Sequence, residues 1–88
     1  MGATAFHPAE YIDDEMKERG WTIDDVVSRM SGDRDMNFAS LSLYLSIRDM
    51  PNLRLGELAI GLEEAFGVNR QTFWNLEKSW VEYAKQRN

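Results

Sequence analysis

The stretch MNFASLSLYLSIRDM, residues 36–50, decides the fold class because it fits two secondary structures. Apolar and polar residues alternate over residues 40–47, which is the pattern of a half-buried strand. On a helix, the same stretch forms one stripe, made of Phe38, Leu41, Tyr44, Leu45 and Arg48. Every other segment of the chain has helical periodicity, and a lone strand has nothing to pair with. We therefore predict a helix over about residues 38–49.

Two helices are predicted before this stretch. The first spans HPAEYIDDEMKERG, with Pro8 at its first position and Gly20 at its end. The second covers residues 22–31, with Thr22 as the N-cap and Asp25 in a looser form of the capping box. The apolar face of the second helix consists of Ile23, Val26, Val27 and Met30.

A polar connector is predicted between the second and third helices. Gly32 closes the second helix, and DRDMN, residues 33–37, is interpreted as a loop. Asn37 is a suitable N-cap for the third helix. That helix ends at or before Met50, because a residue that precedes proline is forced out of helical geometry.

Two more helices are predicted after Pro51. The fourth lies in RLGELAIGLEEAFG, residues 54–67, and ends at Gly67, while the fifth opens at Asn69 and covers about residues 70–86. The fifth has one apolar face with Phe73, Leu76, Trp80 and Tyr83 and another with Trp74 and Val81. Such a terminal helix packs one face into its own core and the other into a partner chain. The residues predicted for a dimer or partner interface are Trp74, Trp80 and Val81.

Length and composition indicate one small all-α domain. The 88 residues, of which 43% are apolar, suit a single domain over residues 1–88 with a modest core. The chain has no cysteine, which excludes disulfides and thiolate metal sites. No apolar run is long enough to span a membrane. We predict a five-helix domain that resides in the cytoplasm.

The sequence contains no constellation of residues for catalysis or for binding a metal or cofactor. The one histidine, His7, precedes Pro8 at a helix start, where a capping or surface-packing role is the ordinary interpretation. Adjacent acids such as Asp13 and Asp14 point to different sides of a helix and cannot converge on a substrate. We therefore predict that the protein is not an enzyme and uses no metal and no cofactor.

The net charge of −5 disfavours binding to nucleic acid, but the charge is unevenly distributed. Residues 1–35 contain nine acidic and four basic residues, whereas residues 36–88 contain six of each. A local basic face therefore remains compatible with the composition. The arginines available for it are Arg29, Arg34, Arg48, Arg54 and Arg70.

Three segments, HPAEYIDDEMKERGWT, LGELAIGLEEAFGV and FWNLEKSW, follow one another along nearly the whole chain. The matching residues are His7, Pro8, Glu10, Glu18, Arg19 and Gly20, then Glu57, Ala59, Leu62 and Gly67, and finally Phe73, Trp74, Asn75, Leu76 and Trp80. Together they resemble the HigA-type antitoxins of the Xre (lambda-repressor-like) family. Ala9 replaces the glycine of the family's opening His-Pro-Gly-Glu, and the closing signature is one residue shorter.

This resemblance implies a lambda-repressor-like fold of five helices, in which the helix-turn-helix covers about residues 22–49. It implies a homodimer that binds operator DNA through its third helix. It also implies pairing with a toxin protein.

The chain departs from the family where DNA contact is expected. SGDRDMNFAS makes the turn about five residues longer than the tight turn of the family. Ile23 replaces a glutamine that often reaches a phosphate in the family. The exposed positions expected on the third helix hold Phe38, Ala39, Ser40, Ser42 and Leu43, where family members commonly carry Arg, Lys, Gln or Asn.

The sequence leaves two functions open. In the first, the protein is a sequence-specific DNA-binding regulator, in which serines contact bases weakly and arginines bind phosphates. The residues predicted for DNA contact are Arg29, Arg34, Asn37, Ser40, Ser42, Arg48 and Arg54. In the second, the apolar residues of the third helix bind a toxin or a host regulator, and DNA binding is weak or lost.

Overall fold

The stretch that decides the fold class is helical, up to the end of the third helix at Ser46. The computed structural model describes residues 5–87 and has five helices and no strand within them. The helices are α1 (Pro8–Arg19), α2 (Ile23–Val27), α3 (Arg34–Ser46), α4 (Leu58–Phe66) and α5 (Arg70–Arg87). The predicted all-α fold of five helices is therefore confirmed.

The ends of α1 follow from local chemistry, as predicted. Pro8 occupies the first position, and Gly20 ends the helix with a φ of 68°, a left-handed conformation that glycine adopts without steric cost. His7 caps the start, since its Nδ1 accepts a hydrogen bond of 3.0 Å from the Ala9 N–H. The capping role of His7 is thus confirmed, although its side chain is buried.

α2 starts where predicted but is shorter. Thr22 and Asp25 form the expected capping box, in which each side chain accepts a hydrogen bond from the other residue's N–H. The helix ends at Val27 instead of near residue 31, because the N–H groups of Arg29 and Met30 bond to carbonyls three residues back and tighten the chain. Gly32 does not close the helix and lies in the following connector.

α3 begins earlier than predicted, at Arg34. The N-cap is Asp33, whose Oδ1 accepts a hydrogen bond of 2.9 Å from the Met36 N–H. Asn37 lies within the first turn, where its side chain donates to the carbonyl oxygen of Ser31 at 3.0 Å. The prediction that Asn37 caps the helix is therefore wrong. The prediction that DRDMN is a loop is wrong for residues 34–37, which belong to α3.

α4 begins at Leu58, later than predicted, because the chain turns just before it. Gly56 has a φ of 53°, in the left-handed region that favours glycine. Leu55 lies outside the helix and is still buried. Gly67 ends α4 and α5 follows over Arg70–Arg87, as predicted.

All five helices contribute to one apolar core. Its largest fully buried side chains are those of Phe73, Ile12, Leu41, Leu62, Val26, Val27 and Pro8. The α3 residues Leu41, Tyr44 and Leu45 are buried as the helical stripe predicts, whereas Phe38 is 40% exposed. Phe38 therefore lies at an exposed position, as the family resemblance implies, and not with the buried residues of that stripe.

A buried carboxylate connects three segments of the fold. Glu77 of α5 is 6% exposed, and its Oε2 accepts hydrogen bonds from the Tyr44 hydroxyl at 2.9 Å and from the Leu55 N–H at 2.7 Å. Burial, together with the nearby Glu77, raises the pKa of Tyr44 far above its ordinary value, so the hydroxyl keeps its proton. α3, the chain before α4, and α5 therefore meet at one oxygen atom.

We expect the protein to lose stability at mildly acidic pH through His7. Burial, and to a smaller extent the charge of Arg48, lowers the pKa of His7 below its ordinary 6.5. The contribution of neutral His7 to the stability of the fold is fully present at pH values above that ordinary pKa. It is lost as the pH falls towards the lowered value, because the unfolded chain takes up the proton first.

Melting temperatures measured between about pH 7.5 and pH 5 test this expectation. His7→Asn is the matched variant, because asparagine is a good N-cap and does not titrate. Comparing the two proteins removes the effect of carboxylates that titrate lower, such as Asp25 and Glu64, whose pKa values are lowered by hydrogen bonds. An equally steep fall in both proteins would contradict the role of His7.

Candidate nucleic-acid interface

The segment predicted as a helix-turn-helix consists of α2, α3 and a connector over residues 28–33. These six residues exceed the three or four of a typical helix-turn-helix turn, so the turn is enlarged, although by less than predicted. The remaining extra residues form the first turn of α3. α2 and α3 pack against each other.

The enlarged connector is attached to α4 by a serine. The Ser31 N–H and hydroxyl donate to the two carboxylate oxygens of Glu64, at 2.9 and 2.6 Å. These bonds lower the pKa of Glu64. Because Asn37 in turn donates to the Ser31 carbonyl oxygen at 3.0 Å, the connector, α3 and α4 share one polar junction.

A groove of about 720 Å³ lies between α3 and the segment that leads into α4, and we call it the α3–α4 groove. Its apolar lining includes Met30, Met36, Leu43, Leu53, Leu58 and Ile60, and its polar lining includes Asn37, Ser40, Arg54, Glu57 and Glu64. Three of the residues predicted for DNA contact, Asn37, Ser40 and Arg54, thus come together here. Arg34 lies one turn before Asn37 on α3.

The two arginines near the groove differ in their contacts. Arg34 pairs with Asp24 at 2.9 Å, and both side chains are 61% exposed. An ion pair exposed to this degree contributes little to stability, so a phosphate can compete for Arg34. Arg54 donates through Nε to the Pro51 carbonyl oxygen at 2.8 Å, which holds the guanidinium beside the groove.

Two other arginines predicted for DNA contact lie away from this cluster. Arg29 stacks on the ring of Trp21 at 3.9 Å and donates to the Asp25 carbonyl oxygen at 2.7 Å. Arg48 lies beyond the opposite end of α3, about 20 Å along the helix from Arg34, and pairs with Asp13 of α1. Arg48 thus contacts α1 and the end of α3.

Ser42 also differs from its prediction. Its hydroxyl is enclosed by the protein and has no hydrogen-bond partner among the described residues. The side chain therefore does not lie on the exposed face of α3. At about 100° of rotation per residue, Ser42 lies next to the buried face formed by Leu41 and Leu45.

The residues predicted for a partner interface have contacts within the chain. Trp74 donates through Nε1 to the Gly56 carbonyl oxygen at 3.0 Å, and Trp80 meets the ring of His7 edge-on at 4.7 Å. Val81 is only 5% exposed. This burial corrects the prediction for Val81, which is not available to a partner in this arrangement of α5.

The α3–α4 groove itself was not predicted from the sequence. Met36 had been assigned to a connector, so its stripe with Ser40 and Leu43, at i, i+4 and i+7, was overlooked. Met36 is 67% and Leu43 is 48% exposed, which makes this stripe an unusual apolar feature of the surface. An earlier start for α3, signalled by Asp33 as an N-cap, would have revealed it.

Comparisons with protein-family models, with curated proteins and with solved structures gave no match. Residues 5–87 contain no cluster of three acidic or histidine side chains arranged for a metal ion. Over the same residues, no helix is both long and apolar enough to cross a membrane.

Proposed function

We propose that the protein is a DNA-binding transcriptional regulator of the helix-turn-helix type, related to the HigA antitoxins of the Xre family, and that it binds its operator as a dimer. The observation that supports this most is the position of α3. It packs against α2 and buries Leu41, Tyr44 and Leu45 in the core, while Arg34 in its first turn and Ser40 are exposed. This is the arrangement that a recognition helix requires.

The chemistry of α3 favours binding that is driven by phosphate contacts. Ser40 offers one hydroxyl, which discriminates bases less well than a bidentate arginine, asparagine or glutamine. Asn37 is engaged with Ser31, so it reads a base only if that bond is exchanged. Arg34 and Arg54 then supply most of the affinity by releasing counterions from the DNA. Two half-sites in a dimer double this contribution.

Arg34→Gln is expected to weaken DNA binding about tenfold and to reduce the salt dependence by about one charge. The measurement is a gel shift at two salt concentrations with the DNA that flanks the protein's own gene. Arg70→Gln is the matched control, because this substitution removes the same charge at a site away from α3. Arg70 lies at the start of α5 and pairs with Glu63 at 2.6 Å. Equal losses in both variants, or no complex even at low salt, would contradict the proposal.

A second candidate function is a protein-interaction module on the same fold, whose partner is a toxin or a host regulator. The observation that favours it is the exposed apolar surface of α3, with Met36 at 67%, Leu43 at 48% and Phe38 at 40% exposure. The surroundings of α3 are also acidic, since Asp24, Asp33 and Asp35 are exposed beside a single paired arginine. Such a surface attracts proteins more readily than phosphates.

A further inference from the structure

We propose that the α3–α4 groove binds an amphipathic helix with a basic flank, supplied by a partner protein. This inference rests on the second candidate function and specifies the chemistry of the partner. Because Ser40 and Arg54 line the groove, a bound helix and DNA would compete for this surface.

The lining of the groove is suited to apolar side chains from a helix. Met36 and Leu43 from α3 face Leu58 and Ile60 from α4, with Leu53 from the connecting segment between them. Methionine adapts its shape to different partners, which suits a surface that repacks on binding. The part of α3 that lines the groove runs from Met36 to Tyr44, so this edge is about 12 Å long, equal to a little over two turns of a bound helix.

The charges around the groove favour a partner helix with basic residues along its flank. Glu57 and Glu64 line the groove together with only one basic residue, Arg54. Glu57 is exposed, and its carboxylate makes no capping bond to the start of α4. Asp33 and Asp35 flank Arg34 at the start of α3, so four acids face two arginines and the rim is negative. A lysine or arginine on the partner complements this rim.

The same charges disfavour two other occupants. A second copy of this chain has a net charge of −5 and would bring a further set of acids against the rim. A DNA backbone lying in the groove would gain Arg54 but would also place phosphates beside Glu57 and Glu64. Like-charge contacts of this kind oppose association, whereas a basic partner is attracted to the surface.

The experiment is fluorescence anisotropy with two labelled helical peptides that share one leucine face and are about 14 residues long. One carries lysines and the other glutamates on its polar face. Leu43→Gln and Phe38→Gln form a matched pair of variants, since both replace exposed apolar residues of α3 but only Leu43 lines the groove. Glu57→Lys reverses one charge of the rim, and melting curves establish that each variant is folded.

The lysine peptide is expected to bind. Leu43→Gln should weaken its affinity about tenfold, whereas Phe38→Gln should change the affinity by less than about twofold. Glu57→Lys should weaken the lysine peptide and strengthen the glutamate peptide. Equal effects of the two α3 variants would overturn the proposal. If the glutamate peptide binds more tightly and Leu43→Gln weakens this binding, the partner helix has no basic flank, but the groove still binds a helix. If neither peptide binds in a way that Leu43→Gln weakens, both the groove proposal and the protein-interaction function are contradicted.

Discussion

Replacement of Glu77 by alanine is expected to destabilise the protein by about 4 kcal/mol, a large part of the stability of a small domain. The change removes the only acceptor described here for two buried donors, the Tyr44 hydroxyl and the Leu55 N–H. Each buried donor left without a partner costs about 1–3 kcal/mol, and the space vacated by the side chain adds to the loss. Urea denaturation followed by circular dichroism measures the change.

Two further variants make this result specific. Glu77→Gln keeps an oxygen acceptor at the same place, so we expect a loss of only about 1 kcal/mol. Glu82→Ala removes an exposed acid from the same helix and should change the stability by less than about 0.5 kcal/mol. A loss at Glu77→Ala no larger than that at Glu82→Ala would show that the carboxylate does not hold the three segments together.

The connection at Glu77 also matters for the candidate site. Tyr44 and Leu55, which Glu77 joins, both line the α3–α4 groove. Weakening this connection therefore alters the spacing between α3 and the segment that leads into α4. For the same reason, substitutions at Glu77 are unsuitable for testing DNA or peptide binding directly, and exposed residues such as Leu43 are preferable.

Phe73→Ala is expected to cost about 4 kcal/mol as well, through loss of packing rather than of hydrogen bonds. The Phe73 side chain is completely buried, and its ring lies 5.7 Å from that of Tyr11. Alanine leaves a cavity between α5 and α1 that the surrounding helices fill only in part. The midpoint of urea or thermal unfolding reports the loss.

Phe38→Ala is the control for this prediction because it makes the same chemical change at a position that is 40% exposed. Partial burial means a smaller loss of transfer free energy and no closed cavity, so we expect about 1 kcal/mol or less. Similar losses at the two positions would contradict the assignment of Phe73 to the core and of Phe38 to the surface.

The parts of the fold that could be predicted are those set by neighbouring residues. Pro8 and Gly20 mark the ends of α1, and Thr22 with Asp25 marks the start of α2, as the structure confirms. Each of these signals acts within one helical turn, through a fixed φ angle or a hydrogen bond to a nearby N–H. Gly67 ends α4 for the same reason.

The boundaries around the enlarged turn were predicted incorrectly because two caps competed. Asp33 and Asn37 are both good N-caps, and the sequence alone does not rank them. In the structure Asp33 caps α3, and Asn37 instead joins the connector that Ser31 attaches to Glu64. Ser31 and Glu64 are 33 residues apart, so no local pattern indicates their contact.

The candidate site was predicted in part. Asn37, Ser40 and Arg54 line one groove, and Arg34 lies beside them on α3. Arg29 and Arg48 have the right chemistry for phosphates but are held by Trp21 and Asp13. Spacing along the chain identifies the residue types that suit DNA, but it does not show which side chains another helix engages.

The sequence by itself determined the number of helices, most of their ends and the choice of helix over strand for residues 38–46, because these depend on periodicity and on contacts within a turn. Only the tertiary structure decided which face of α3 is exposed. That face is set by the rotation at which Leu41 and Tyr44 enter the core and by the bond from Tyr44 to Glu77. Burial of apolar area favours this one rotation, and it leaves Met36 and Leu43 beside the α3–α4 groove.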